Sequence, residues 1–182
     1  MAQAHVTPRR LSRAEYDRMA QLGFFRDERV ELIRGMVVKM SPIGPPHASI
    51  VDRLTRVLVR ALGERALVRI QQPLLAFDES EPEPDVAVVR EGSYFERHPD
   101  SAYLVIEVAE TSLDYDRDTK GPLYAASNVD EYWVIDVAAR AIELYTDAEG
   151  GRFTRVRRVV AGGTATPHAF PDLVVEVEKL FG

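Results

Sequence analysis

A chain of 182 residues is long enough to bury a substantial core as one domain, and the absence of cysteine excludes disulfides, zinc–thiolate sites and cysteine nucleophiles together. A net charge of −6 speaks against non-specific nucleic-acid binding through a basic surplus, although arginines at 9–13, 53–60 and 155–158 form local clusters. No apolar run approaches a membrane span and the first residues hold no apolar signal core, so the expected compartment is cytoplasmic, with no membrane partner.

Ser12-Arg13-Ala14-Glu15 has the form of a capping box and predicts a helix to about Gln21, ended by Gly23. Residues 29–40 read as a hairpin turning at Arg34-Gly35. A loop built on Pro42, Gly44, Pro45 and Pro46 leads into a helix over 47–62. There Ile50, Leu54, Leu58 and Leu62 share one face, and Arg53, Arg56 and Arg60 lie away from it. Strands are expected near 66–71, 73–77, 85–90 and 102–109, with a loop of Gly92, Pro99 and charged residues between the last two. Residues 116–127 read as helical, with Gly121-Pro122 imposing a kink or a late start. A strand follows over 131–136, then a hairpin of 141–146 and 152–160 around a turn at 147–151. The tail, 173–180, reads as a strand running into a short terminal turn. With no repeat and no linker, the expectation is one mixed α/β (α+β) domain over 1–182.

Two acids stand where charge is costly. Asp85 heads the apolar run Pro84-Asp85-Val86-Ala87-Val88-Val89, and Glu107 interrupts Tyr103-Leu104-Val105-Ile106-Glu107-Val108-Ala109. Burying such an ion without a partner costs roughly several kcal/mol, so each calls for a neutralising group. Lys120 is one of three lysines beside twenty arginines, and an amine offers a compact, titratable charge that a guanidinium does not. Strand alternation puts Glu107 on one face with Tyr103, Val105 and Ala109, and small Ala109 leaves room there. Asp116, Lys120 and Tyr124, four apart, share a helical face, so a helix folding back across the sheet brings Lys120 to Glu107. If the strands of Asp85 and Glu107 are neighbours, their carboxylates approach each other, which raises one pKa unless a cation is bound. Magnesium suits such a pair.

Plainer readings stand beside these. Asp85 and Glu107 also fit strand-end solvation or a salt bridge, Lys120 a solvated helix face, and Glu31 an exposed hairpin charge. Asp116 fits a helix start and His47 a helix entry after Pro45-Pro46. Tyr124 packs on the sheet or touches the site. Tyr132 and Trp133 read as core rather than a base-stacking platform, and His5, His98 and His168 as surface. No Gly-rich phosphate loop, His-Glu-x-x-His motif or serine elbow is present.

The order of Glu31-Leu32-Ile33-Arg34-Gly35, His47, Pro84-Asp85-Val86, Val105-Ile106-Glu107-Val108, Asp116-Arg117-x-x-Lys120, Tyr124 and Glu131-Tyr132-Trp133 resembles the Uma2 family, formerly a domain of unknown function. The family is placed in the PD-(D/E)XK restriction-endonuclease-like superfamily, and the resemblance runs from about Ser12 to Leu180. It implies a mixed β-sheet flanked by helices, with added β-hairpins, and a Mg2+- or Mn2+-dependent endonuclease hydrolysing DNA phosphodiesters. Asp85, Glu107 and the backbone carbonyl of Val108 would bind metal, with Glu31 a further acid nearby. Lys120 would take the role of the signature lysine, whose usual place two residues after the second acid is here Ala109. A homodimer suits cutting both strands of DNA. The alternative is a non-catalytic binding module that keeps the fold and its acidic cleft.

Overall fold

The computed structural model describes residues 7–182, and His5 lies outside them. Helix α1 (Arg13–Gln21) opens with the expected capping box, the Ser12 side chain accepting from the Glu15 N–H while the Glu15 carboxylate accepts from the Ser12 N–H. Strands β1 (Val30–Ile33) and β2 (Met36–Lys39) form an antiparallel hairpin. Its turn residues Arg34 and Gly35 both take positive φ, 49° and 75°, the backbone twist a two-residue hairpin loop needs. Helix α2 (Pro45–Leu62) starts two residues earlier than expected, because proline tolerates the first turn, where backbone N–H groups have no helical partner.

Strands β3 (Leu67–Ile70), β4 (Val86–Val89), β5 (Ser101–Ala102) and β6 (Leu104–Ala109) follow. A three-residue helix α3 (Leu113–Tyr115) runs into a π turn, Asp116–Lys120, and then helix α4 (Gly121–Ala126). The chain continues through β7 (Asn128–Val129), β8 (Tyr132–Asp136), β9 (Ala141–Glu149), β10 (Arg152–Val160), β11 (Thr164–Ala165), β12 (Val175–Glu176) and helix α5 (Val177–Phe181).

Two local expectations are corrected and one left open is resolved. Residues 73–77 form no strand: the N–H groups of Leu74, Leu75 and Ala76 bond to Pro82, Pro99 and Ser80 in turn, so no single partner strand builds a ladder. Of the two outcomes expected at Gly121-Pro122 the structure takes the late start, since Pro122 sits in the first turn of α4 and the irregularity is the π turn before it. The second hairpin turns in two residues rather than five, with Gly150 and Gly151 at φ 57° and 75° and β9 continuing to Glu149.

Six strands form one mixed sheet in the order β10-β9-β8-β6-β4-β3, and β6–β8 is its only parallel pair. One face, including Ile106, Trp133 and Ile135, packs against α2 and α5 through Leu54, Leu58 and Leu180. The other, including Val105, Ala109 and Val134, packs against Tyr124 of α4. Covered on both faces, β6 and β8 are buried along their length, which is why both read as near-continuous apolar runs. Tyr132 and Trp133 are core residues, as expected. Among the described residues no helix is long and apolar enough to cross a membrane.

Candidate active site

The β4–β6 ladder ends at Val86↔Ile106, and the acids stand just beyond that last pair. Asp85 donates its backbone N–H to Glu107 Oε2 at 3.3 Å, and Asp85 Oδ2 accepts the Val108 N–H at 2.8 Å. Two carboxylates 22 residues apart in the chain are thereby locked together by the first backbone step past the sheet pairing. Glu107 lies on the α4 face of the sheet, with Val105 and Ala109 beside it.

Lys120 arrives from the π turn. Its Nζ donates to Glu107 Oε1 at 3.0 Å and lies 3.2 Å from Glu31 Oε2, which also accepts the Glu83 N–H. Glu31, Glu107 and Lys120 are 3, 3 and 4% exposed. The hairpin position of Glu31 is therefore no solvated face; all four residues of β1 are buried. Tyr124 donates its hydroxyl to Glu107 Oε1 at 2.8 Å, and buried Asp116 accepts from Ser112 Oγ at 2.6 Å. The π turn, a frequent device at functional sites, buries Asp116 and Lys120 together. His47, near the start of α2, places Nε2 2.9 Å from Asp85 Oδ2.

Gln71 gave no signal in the sequence. Its backbone sits at φ 50°, its N–H donates to the Asp85 carbonyl and its side chain lies 3.3 Å from Asp85 Oδ1. A left-handed non-glycine residue beside a buried acid is a strain that local sequence does not announce.

Burial pushes the Glu107 carboxyl well above its usual range, against the opposing charge of Lys120. It likewise lifts Asp116 to about 6. Burial works against the Lys120 charge, yet Glu107, Glu31 and Asp116 hold its pKa above that of an ordinary lysine. Asp85 is the contrast: burial would raise it, but His47, the Val108 N–H and Gln71 keep it below the usual carboxylate value. His47 in turn is raised, chiefly by its bond to Asp85. Four acids thus face one lysine and one histidine, and two of them resist losing their protons. A bound cation reverses that logic.

The cluster opens into a cavity of about 490 Å³ whose lining includes Met40, Ile43, Glu110, Ser112 and Tyr115. Val108, whose carbonyl the family resemblance implies as a ligand, lines this cavity. Among the described residues no three His, Asp or Glu side chains stand ready-arranged as a metal cage. The ammonium of Lys120 bridges Glu31 and Glu107 instead. The donor set itself is hard oxygen without sulfur, which fits magnesium or manganese better than zinc.

A family model for Uma2, described as "Putative restriction endonuclease", matches residues 13–178. The chain belongs to the Uma2 family. Its fold is also that of a solved protein titled a "putative nuclease belonging to DUF820" from Anabaena variabilis, with a TM-score of 0.71 over 85% of this chain and 90% of that one. Identity between the two is 13%, so the likeness speaks for the restriction-endonuclease-like fold alone. No curated protein matches the chain. In this Uma2 chain, five residues of the motifs that carried the family resemblance line one cavity: Glu31 from β1, His47 from α2, Asp85 before β4, Glu107 on β6 and Lys120 on the π turn.

Proposed function

We propose that this Uma2 protein is a one-domain, magnesium-dependent endonuclease that hydrolyses DNA phosphodiesters, acting in the cytoplasm as a homodimer. The observation that carries the reading is the meeting of Glu31, Asp85, Glu107 and Lys120 within hydrogen-bond reach beside one open cavity. Asp85, Glu107 and the carbonyl of Val108 would hold the ion, with Glu31 beside them. The chemistry such an ion supplies is neutralisation of phosphoryl charge and a more acidic attacking water. Lys120, kept charged by its carboxylates, places a fixed positive charge against the scissile phosphate, where negative charge grows in the transition state. His47, Gln71 and the Val108 N–H hold Asp85 ionised and oriented. In-line displacement by water needs no covalent enzyme intermediate, in keeping with a chain that has no cysteine. Two active sites on a symmetric dimer suit cutting both strands of a duplex.

A second reading has its own support. Both oxygens of Glu107 accept protein hydrogen bonds and Lys120 already occupies the place between two acids. A module that keeps the fold and uses the cleft only for recognition would look the same. Melting curves separate the two. Manganese or magnesium raises the melting temperature of the nuclease, by about 2.7 kcal/mol of stabilisation at a hundredfold excess over Kd, and Asp85→Ala or Glu107→Ala abolishes the shift. No shift at tens of millimolar metal favours the binding module. Plasmid nicking lost in Lys120→Ala, with the metal shift retained, supports the nuclease specifically.

A further inference from the structure

We propose that Tyr115 is a substrate-binding residue of this site, its hydroxyl reserved as a hydrogen-bond donor for the phosphate of a nucleic-acid phosphodiester. The inference rests on the nuclease reading and adds to it a residue that none of the motifs contained.

The observation is an exception in how the fold treats its tyrosines. Tyr16 donates to the Val30 carbonyl, Tyr94 to Arg90, Tyr124 to Glu107, Tyr132 to Asp116 and Tyr145 to Glu143, all between 2.8 and 3.1 Å. The Tyr115 hydroxyl is sealed from solvent and has no partner. Leaving a buried hydroxyl unpaired is costly, and a fold that satisfies five other phenols leaves this one without a partner. That place is the wall of the acid-lined cavity, at the last residue of α3, immediately before the π turn that delivers Lys120. The residue as a whole is only partly buried, so a side-chain turn, not a change of fold, carries its hydroxyl to a ligand.

The chemistry selects the ligand class. Glu31, Asp85, Glu107 and Asp116 already crowd the site with acceptors, so a neutral donor adds a contact for an anion without adding another charge. Burial, with the nearby charge of Glu31, pushes the phenol up to about 12, so it keeps its proton at working pH. Glu31 and Asp116 themselves stay beyond bonding distance of it. An unpaired donor held beside a candidate metal pair fits a phosphoryl oxygen.

The test is a set of thermal melts on the full chain, for the wild type, Tyr115→Phe and Tyr124→Phe, without metal, with Mn2+, and with Mn2+ plus deoxythymidine 5′-monophosphate. The expected result is that Tyr115→Phe melts at or above the wild type without metal and keeps its response to Mn2+. It should need about tenfold more nucleotide for half of the further shift. Tyr124→Phe, whose hydroxyl the fold does use, should melt lower from the start. A metal-free melting temperature lowered in Tyr115→Phe means that the hydroxyl serves the fold, and overturns the proposal. So does an undiminished nucleotide response in that variant. A wild type that answers Mn2+ but not the nucleotide removes the phosphate assignment and leaves the metal reading standing. A wild type indifferent to Mn2+ removes the nuclease reading and this inference with it.

Discussion

Lys120 Nζ lies 3.0 Å from Glu107 Oε1 and 3.2 Å from Glu31 Oε2, so one ammonium holds together acids from two separate sheets. An arginine fork would not fit between them as a point charge does. The pair of contacts makes the site an electrostatic unit in which loss of the ammonium leaves two buried acids without a counter-ion.

Lys120→Met should therefore destabilise the protein by about 3 kcal/mol at pH 8, because Glu31 and Glu107 lose their buried counter-ion. The loss should shrink on acidification, since Glu107, raised by burial, takes up a proton and no longer needs the cation. Urea unfolding at pH 8 and pH 5 checks both statements. A penalty that is the same at the two pH values would show that lost packing, not charge, sets the cost.

Metal binding should depend on pH in the same sense. Asp116 titrates near 6 and Glu107 lies well above the ordinary carboxylate value, both through burial, so a cation competes with protons for this cluster. The Mn2+-induced rise in melting temperature is expected to be small at pH 5.5 and to grow through pH 8. Isothermal titration in two buffers of different ionisation enthalpy should show proton release on binding at pH 6.5. Binding without proton release would contradict the assignment of the ion to these acids.

Glu81 offers a test remote from the metal question. Burial pushes its carboxyl up to about 7 from an ordinary 4.5, and Arg13, 4.0 Å away, compensates little. A raised acid binds its proton more tightly in the folded state. Its contribution is therefore best below pH 4.5, declines as pH rises from 4.5 to 7, and stays low above that. Glu81→Gln should match the wild type at pH 4 and exceed it by about 2 kcal/mol at pH 8, as measured by urea midpoints.

Tyr124→Phe removes a hydroxyl that donates to a buried carboxylate at 2.8 Å. A hydrogen bond to a charged group contributes about 1.5–3 kcal/mol, and a loss of that size is expected in denaturant unfolding at pH 8. Because Glu107 keeps its bond to Lys120, the variant should still fold and still respond to Mn2+.

Local energetics explain what could be read in advance. The capping box at Ser12 and Glu15, the left-handed turn at Arg34-Gly35 and the Leu54–Leu58–Leu62 seam of α2 each involve residues a few positions apart, and each formed as expected. Asp85 and Glu107 were legible for a related reason: an acid in an otherwise apolar strand is a conflict visible in the strand itself. Placement of Lys120 on the face of Glu107, through small Ala109 and the spacing of Asp116, Lys120 and Tyr124, also followed from periodicity.

Contacts between distant segments were another matter. The backbone of 73–77 has strand-like residues, but its N–H groups find partners in two separate segments, at Ser80 and Pro82 and at Pro99, and nothing within those residues encodes that outcome. Glu31 reads as an exposed hairpin charge because hairpins alternate, yet all four residues of β1 are buried and Lys120, from a distant turn, meets its carboxylate. The π turn at 116–120, the crossing bonds between Asp85 and Val108 and the unpaired hydroxyl of Tyr115 all depend on where the sheet places neighbours. The chain by itself determined its turns, its caps, its apolar faces and the identity of two anomalous acids, because those are settled within a few residues. Tertiary structure alone decided which charges meet, since the field that stabilises or strains a buried ion comes from groups far away along the chain.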